Sequence, residues 1–352
     1  MLRFRTDVNF SEAIRHNDEF LMPLARVEGL LRDRNIVFSK TEGDVTFADT
    51  NHGPPSAGGP VVLFDRSDGA FLWWRFQPEG RIVRELLESP DTLGLIKISR
   101  YRSRAEYNVG RTDVSGHAER IRAARGGGAL EGEHISVEPI SEQAFSRLHL
   151  GAGFWAFDQC EPLAQQPGRD RRRPIDVFCA VSVNYRCPTI SWHRQTALDC
   201  LNALPNLKKM LARGRVIGEH EYRELIRQTR ICVSPWGWGE TCIRDYEALL
   251  AGCVLIKPRT DFIDSALPLD ERHYVACKPD FSDLDLRIQE VLDQWPHYVA
   301  RAEALREYVL RARNPEAIAD QYAAALMASV ASPVGKVDSV ETGLVGILPA
   351  AT

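Results

Sequence analysis

Short apolar runs in the first half of the chain alternate with longer stretches whose apolar residues return every three or four positions. The runs are NIVFS (Asn35 to Ser39), DVTFAD (Asp44 to Asp49), PVVLFD (Pro60 to Asp65) and LGLIKIS (Leu93 to Ser99). Between or before them, FLMPLARVEGLLRDR and GRIVRELLES carry the helical period. Short apolar runs read as strands, and their alternation with helices predicts a parallel α/β unit. Gly110 to Gly132, with a GGG triplet and many arginines, predicts a mobile loop. EPLAQQPGRDRRRP, from Glu161 to Pro174, has no apolar period and predicts an interdomain linker.

The second half is more regular. IDVFCAV (Ile175 to Val181) predicts a strand, followed by a helix around Thr196 to Leu204 and a strand at GRVIG (Gly214 to Gly218). Next come a helix in EHEYRELIRQT, with Tyr222, Leu225 and Ile226 on one face, and a strand at RICVSP. A helix from about Thr241 to Ala251 and a strand at CVLIKP, Cys253 to Pro258, complete a Rossmann-type half. Leu284 to Val330 reads as helical with a break near Asn314-Pro315, and the last stretch reads as a poorly ordered tail. The expected organisation is a first unit over 1–160, a linker over 161–173, a second unit with terminal helices over 174–330, and a tail over 331–352.

At 352 residues the chain has length for about two domains of roughly 150 residues. Apolar residues at 44 % and charged ones at 26 % exclude a largely disordered or fibrous protein. A formal charge of −4 argues against wholesale binding to nucleic acid. No segment approaches the roughly 20 apolar residues of a membrane helix, and MLRFRTDVNF lacks the layout of a signal peptide, so the cytoplasm is the expected location. The eight cysteines, Cys160, Cys179, Cys187, Cys200, Cys232, Cys242, Cys253 and Cys277, form no C-x-x-C pair. They read as buried thiols rather than a disulfide framework or a zinc site.

Chemistry concentrates in ICVSPWGWGETCIRDYEALLAGCVLIKPRTDF, Ile231 to Phe262. A strand ends at Ser234-Pro235, a turn Trp236-Gly237-Trp238-Gly239 follows, and a helix is expected to open at Glu240-Thr241. In an open parallel sheet such a junction receives an anion, because free backbone N–H groups and the helix dipole point at it, and Gly237 and Gly239 permit close approach. Arg244 and Glu247 stand one helical turn apart on a face distinct from the apolar arc of Ile243, Tyr246, Leu249 and Leu250. A guanidinium fork suits a diphosphate, and a carboxylate suits ribose hydroxyls. Trp236 and Trp238 are open to two uses, stacking on a base or sugar, or packing on neighbouring loops.

SPWGWGETCIRDYEALLAGCVLIKP resembles the donor-binding segment of two-domain glycosyltransferases of the GT-B type, most of all their exostosin-like and group-1-like bacterial branch. The shared pattern is carried by Pro235, Gly237, Arg244, Glu247, Ala248, Gly252 and Cys253. The resemblance spans about Ile175 to Phe262 and is one of layout alone in the N-terminal half. It implies an α/β fold of two Rossmann-like domains facing a central cleft, with C-terminal helices, the acceptor on the N-terminal side and a nucleotide-sugar donor on the C-terminal side. By that resemblance Glu247 binds the nucleotide ribose, Arg244 neutralises the leaving diphosphate, and a basic residue follows the first strand of the C-terminal domain, Arg194 in preference to Arg186. Gly237, Gly239, Glu240 and Thr241 complete the expected donor-binding set. Glu240 stands seven positions before Glu247 where retaining members have eight, so its use is equally that of a first-turn acid.

An inverting enzyme needs a general base from the N-terminal side, and VVLFDRSDGAF offers Asp65 and Asp68 at a strand's carboxyl end; an ordinary Asp turn is the alternative. Arg100, Arg102 and Arg104 either meet an anionic acceptor or form a solvated face. His193 reads as a surface histidine. Asp283-Leu284-Asp285 is a D-x-D string at a helix start rather than a metal site, so the expected reaction needs no metal and no cofactor. Partners are the nucleotide-sugar donor and an acceptor hydroxyl on a glycan, lipid or small molecule. Two rival readings keep the fold: a nucleotide-sugar epimerase, and a binding or scaffold protein without turnover.

Overall fold

The computed structural model describes residues 1–16, 18–50, 59–65, 83–107, 117–125, 139–165, 173–185, 187–214 and 217–331. The strands in chain order are β1 (Leu2–Thr6), β2 (Ile36–Ser39), β3 (Val45–Asp49), β4 (Val61–Phe64), β5 (Thr92–Lys97), β6 (Ser99–Tyr101) and β7 (Leu148–Leu150), then β8 (Ile175–Val181), β9 (Lys209–Arg213), β10 (Thr229–Val233), β11 (Val254–Pro258), β12 (Ile263–Ser265) and β13 (Val275–Cys277). The helices are α1 (Phe10–Arg15), α2 (Met22–Asp33), α3 (Val83–Glu88), α4 (His117–Ala124), α5 (Glu142–Ser146) and α6 (Glu161–Ala164), followed by α7 (Pro188–Ala203), α8 (Glu219–Arg227), α9 (Ile243–Leu250), α10 (Leu284–Asp293), α11 (Trp295–Ala312) and α12 (Pro315–Ala331).

Two all-parallel sheets organise these elements, one of six strands in the order β2-β1-β3-β4-β5-β7 and one of five in the order β13-β11-β10-β8-β9. Parallel sheets are covered on both faces, and β4 shows it: all four residues of Val61–Phe64 are buried. The expected α/β class with two Rossmann-like sheets and C-terminal helices is thus present. β1 is an element that the apolar-run reading passes over. Leu2, Phe4 and Thr6 alternate with arginines, so the strand shows as period-two alternation rather than as a run.

Several boundaries differ from expectation. The strand expected at Gly214 to Gly218 lies instead at β9, a half-buried edge strand whose Lys, Met and Leu give a weak apolar signal. α7 opens at Pro188, with the proline at the first helical turn, eight residues before the expected start. Residues 117–124, expected to be loop, form α4, which buries His117, Ala118 and Ile121. The expected linker is structured where it is described: Leu163 is buried, and Arg173 is buried with its guanidinium on Thr229 and Ala251 carbonyls. Its residues 166–172 and the expected tail beyond 331 lie outside the described residues.

The chain crosses between the two units more than once. α11 packs on α9 of the second unit, and α12 returns to the first, lying on α2, β5 and β7. The expected boundary at 330 does not anticipate this. Tyr322 of α12 is fully buried beside Gly151, where a Cβ would fall 2.8 Å from its ring, and Arg34 on the C-cap of α2 pairs with Glu316 and Asp320. Arg313 closes the crossing by donating to the carbonyls of Trp155 and Phe157. A second junction is the antiparallel pair β6 and β12, one strand from each unit. Among the described residues no helix is long and apolar enough to cross a membrane. None of the eight cysteines is in a disulfide, and six of them are buried.

α9 ends in a Schellman stop: Gly252 N–H donates to Leu249 and Cys253 N–H to Ala248, with Gly252 at φ 70°. A Cβ there would also fall 2.9 Å from Arg173 Nη2. Gly252→Ala is therefore expected to cost about 1–3 kcal/mol. Urea unfolding should show a lower midpoint at unchanged slope. An unchanged midpoint would mean that the Arg173 fork and the left-handed turn do not fix this helix end.

Candidate functional site

In the second sheet the chain runs from β8 outward to β9, then returns to β10 on the other side of β8. That reversal places a crevice at the carboxyl ends of β8 and β10, where open α/β sheets take their ligands. Two arginines meet there. Arg244, on the first turn of α9, donates from Nε to Ser234 Oγ at 3.1 Å and from Nη2 to the Pro235 carbonyl at 2.7 Å, with Nη1 3.4 Å from the Ala180 carbonyl. Arg194, on α7, donates from Nε to the Trp236 carbonyl at 3.0 Å and from Nη1 to the Ser182 carbonyl at 3.1 Å. Together they span the ends of both strands at the reversal.

Both are nearly enclosed, Arg194 at 5 % and Arg244 at 8 % exposed. Their hydrogen-bond partners are carbonyls and a hydroxyl, and neither forms an ion pair with a carboxylate among the described residues. Burial, and after it the neighbouring Arg244 charge, lowers the Arg194 guanidinium below its ordinary value. Two like charges out of water, neither held in an ion pair, are costly, and an anion between them lowers that cost. Nη2 of Arg194 lies 3.4 Å from where a Cβ at Gly237 would stand. The ring of Tyr185 covers the Arg194 guanidinium carbon at 4.3 Å, and Trp238, half-buried, meets Tyr185 edge-on at 5.8 Å.

Beneath the arginines lies a compensated network. Asp245 is fully buried, accepts from Ser234 Oγ, Cys242 N–H and Lys257 Nζ, and so caps α9. Lys257 also donates to the Glu240 carbonyl at 2.8 Å. Asp245 is ion-paired with Lys257, so it acts on the Arg244 guanidinium through its charge and not through an ion pair. Neither residue stands out by motif, yet the sequence holds a signal: Lys257 interrupts the apolar run CVLIKP, and a lysine in a buried strand requires an acid.

The expected donor-binding residues divide. Arg194, Arg244, Gly237, Gly239 and Thr241 all lie on the crevice segments, but α9 opens at Ile243 with Cys242 as its cap rather than at Glu240-Thr241. Glu240 is buried and its carboxylate accepts from the backbone N–H groups of Asp261, Phe262 and Ile263. It staples the loop leading into β12, and burial raises its carboxyl to about 8 against those three donors. Glu247 is half-buried and accepts from Tyr222 of α8 at 2.9 Å. Tyr222 belongs to the face that sequence periodicity identifies, though as packing rather than as a partner of Glu247.

On the N-terminal side Asp65 is buried and paired with Lys97, which is not the setting of a base open to an acceptor. Asp68 and Arg186 lie outside the described residues. Arg100 and Arg102 reach Asp264, and Arg104 reaches Glu142, so these arginines tie elements together. His193 is buried, not on the surface, and lies between Trp236 and Phe281. Trp236 takes the packing role. Asp283 accepts from Lys278 N–H and pairs with Arg287 at the start of α10, as a helix start predicts. Among the described residues no group of three or more His, Cys, Asp or Glu side chains gathers as a metal site would require.

No family model matches the chain, and no curated protein matches it in sequence. Among solved structures it is similar to one titled "Crystal Structure of alpha1,3-Fucosyltransferase", at 12 % identity and a TM-score of 0.38, covering 86 % of this chain and 81 % of that one. It is similar also to one titled "Crystal Structure of alpha1,3-Fucosyltransferase with GDP-fucose", at 12 % identity, the same coverage and a TM-score of 0.39.

Burial raises the Glu247 carboxyl from 4.5 to about 7, opposed by the Tyr222 hydroxyl and the Arg244 charge. An acid raised on folding binds more protons folded than unfolded, so its contribution to stability falls as pH rises from about 4.5 to about 7. Unfolding midpoints of the wild type and of Glu247→Gln, compared at pH 5, 6, 7 and 8, should differ by an amount that moves against the wild type over that range and then levels. A constant difference would place Glu247 at its ordinary value.

Proposed function

We propose that the chain is a glycosyltransferase that draws on a nucleoside-diphosphate sugar and transfers the sugar to an acceptor hydroxyl. The observation that carries this is the Arg194 and Arg244 pair, buried at the reversal of a parallel sheet with neither in an ion pair with a carboxylate among the described residues. A diphosphate supplies the missing negative charge and accepts from two guanidinium forks. As the bond to the sugar breaks, charge builds on the departing diphosphate, and donors already fixed by carbonyls stabilise it without reorganising. Glu247, on the next turn of α9 and oriented by Tyr222 of α8, is assigned to the ribose. The reading needs no metal, since the two arginines neutralise the leaving group.

Asp65 supports a second reading. Buried against Lys97, it is not set to take a proton from an acceptor, and a protein that binds a nucleotide sugar without turnover would carry the same arginine pair. Release of nucleoside diphosphate from a nucleotide sugar in the presence of acceptors separates the two, since only the enzyme produces it.

Calorimetric titration with pyrophosphate, UDP, GDP, ADP, dTDP and CMP, with and without EDTA, tests the site. One nucleoside diphosphate should bind in both conditions. Arg244→Ala and Arg194→Ala should each weaken binding by about ten- to a hundredfold, the range for hydrogen bonds to charged groups. Wild-type protein that binds none of these anions would overturn the reading.

A further inference from the structure

The turn that Arg194 holds is held from its other side by the first unit. His117, at the start of α4, lies with its ring 4.5 Å from that of Trp236 at an interplanar angle of 20°, and its Nε2 is 3.1 Å from the Gly237 carbonyl. A carbonyl only accepts, so this contact fixes the proton on Nε2. His193 also stacks on Trp236, at 4.9 Å and 20°. The indole thus stacks with one imidazole from each unit, and all three rings are buried. The same two peptide groups serve both units: Trp236 gives its carbonyl to Arg194 Nε and Gly237 gives its carbonyl to His117.

The rest of α4 touches the surroundings of the same crevice. Arg120 lies over the ring of Phe262 at 3.1 Å and within 3.7 Å of Asp261, on the loop that Glu240 staples. Arg125, directly after α4, lies over Trp192, two residues before Arg194 on α7, at 5.2 Å. One short helix of the first unit therefore contacts the turn, the loop and the helix that frame the arginine pair of the second.

The geometry points to His117 as a positioning residue for the diphosphate site: by fixing the Trp236-Gly237 turn it sets the direction of Arg194, so that the anion site of the second unit is complete only with α4 of the first docked on it. This rests on the diphosphate reading and deepens it. His117 need not touch the anion. Its effect passes through the carbonyl that receives Arg194 Nε, and because coupling between two binding events is reciprocal, an anion on the arginines must also strengthen the docking of α4.

Pyrophosphate, which has no base or ribose, is the probe. His117→Phe keeps a ring for the stack and removes the donor to Gly237, and it should bind pyrophosphate about three- to tenfold more weakly than wild type while unfolding cooperatively. Arg194→Lys keeps the charge and loses the planar fork that donates to Trp236. If His117 acts through Arg194, adding His117→Phe to Arg194→Lys should cause little further loss, whereas a general packing role would give additive losses. Hydrogen exchange of the amides of 118–124 in wild type should slow when pyrophosphate is added. Wild-type affinity in a folded His117→Phe, or additive losses in the double variant, overturns the inference and leaves the diphosphate reading standing. Absence of pyrophosphate binding by the wild type overturns both.

Discussion

The architecture around the crevice follows from one electrostatic constraint, two enclosed guanidiniums that form no ion pair with a carboxylate among the described residues. Folding that removes two positive charges from water needs compensation, and carbonyl dipoles supply part of it. Ser182, Ala180, Pro235 and Trp236 present their carbonyls because the strands that carry them end at the sheet reversal. Asp245, next to Arg244 in the chain, is ion-paired with Lys257 and not with the guanidinium. On the diphosphate reading, the arginine pair is then left for an anion in the crevice.

Much of the fold is legible in the sequence because buried parallel strands are continuous apolar runs, and β2, β3, β4, β5, β8, β10 and β11 are of that kind. Strands at edges or with alternating charges escape that reading for a physical reason. β1 has arginines on every second residue, and β9 is only half covered, so neither needs a run. α4 escapes because its eight residues are short for an apolar period, and the composition around it is that of loops. Its role depends on a ring from 119 residues further along, which no local pattern encodes.

For the site, the segment was legible and the division of labour within it was not. R-x-x-E at one-turn spacing brings Arg244 and Glu247 to the same part of α9, as helical geometry requires. Glu240 shows the limit. A glutamate next to a glycine turn looks like a ligand group, yet three backbone N–H groups from a loop two dozen residues away take its carboxylate. The Gly-Cys pair at the end of the motif likewise has a local purpose, since only a left-handed residue lets α9 stop where Arg173 crosses. Polarity alone places His193 on the surface, yet an imidazole packs as a flat ring when an indole lies against it.

The return of α12 to the first unit has a consequence for how the chain is made. On the ribosome the first unit emerges well before its last helix, and until residues 315–331 appear the faces of α2, β5 and β7 that α12 covers have no partner. A domain cut at the expected boundary would keep those faces bare. The first unit therefore cannot mature as a self-contained piece ahead of the second; the two must be finished together, with the final stretch of helix acting as the closing stitch of a fold begun some three hundred residues earlier.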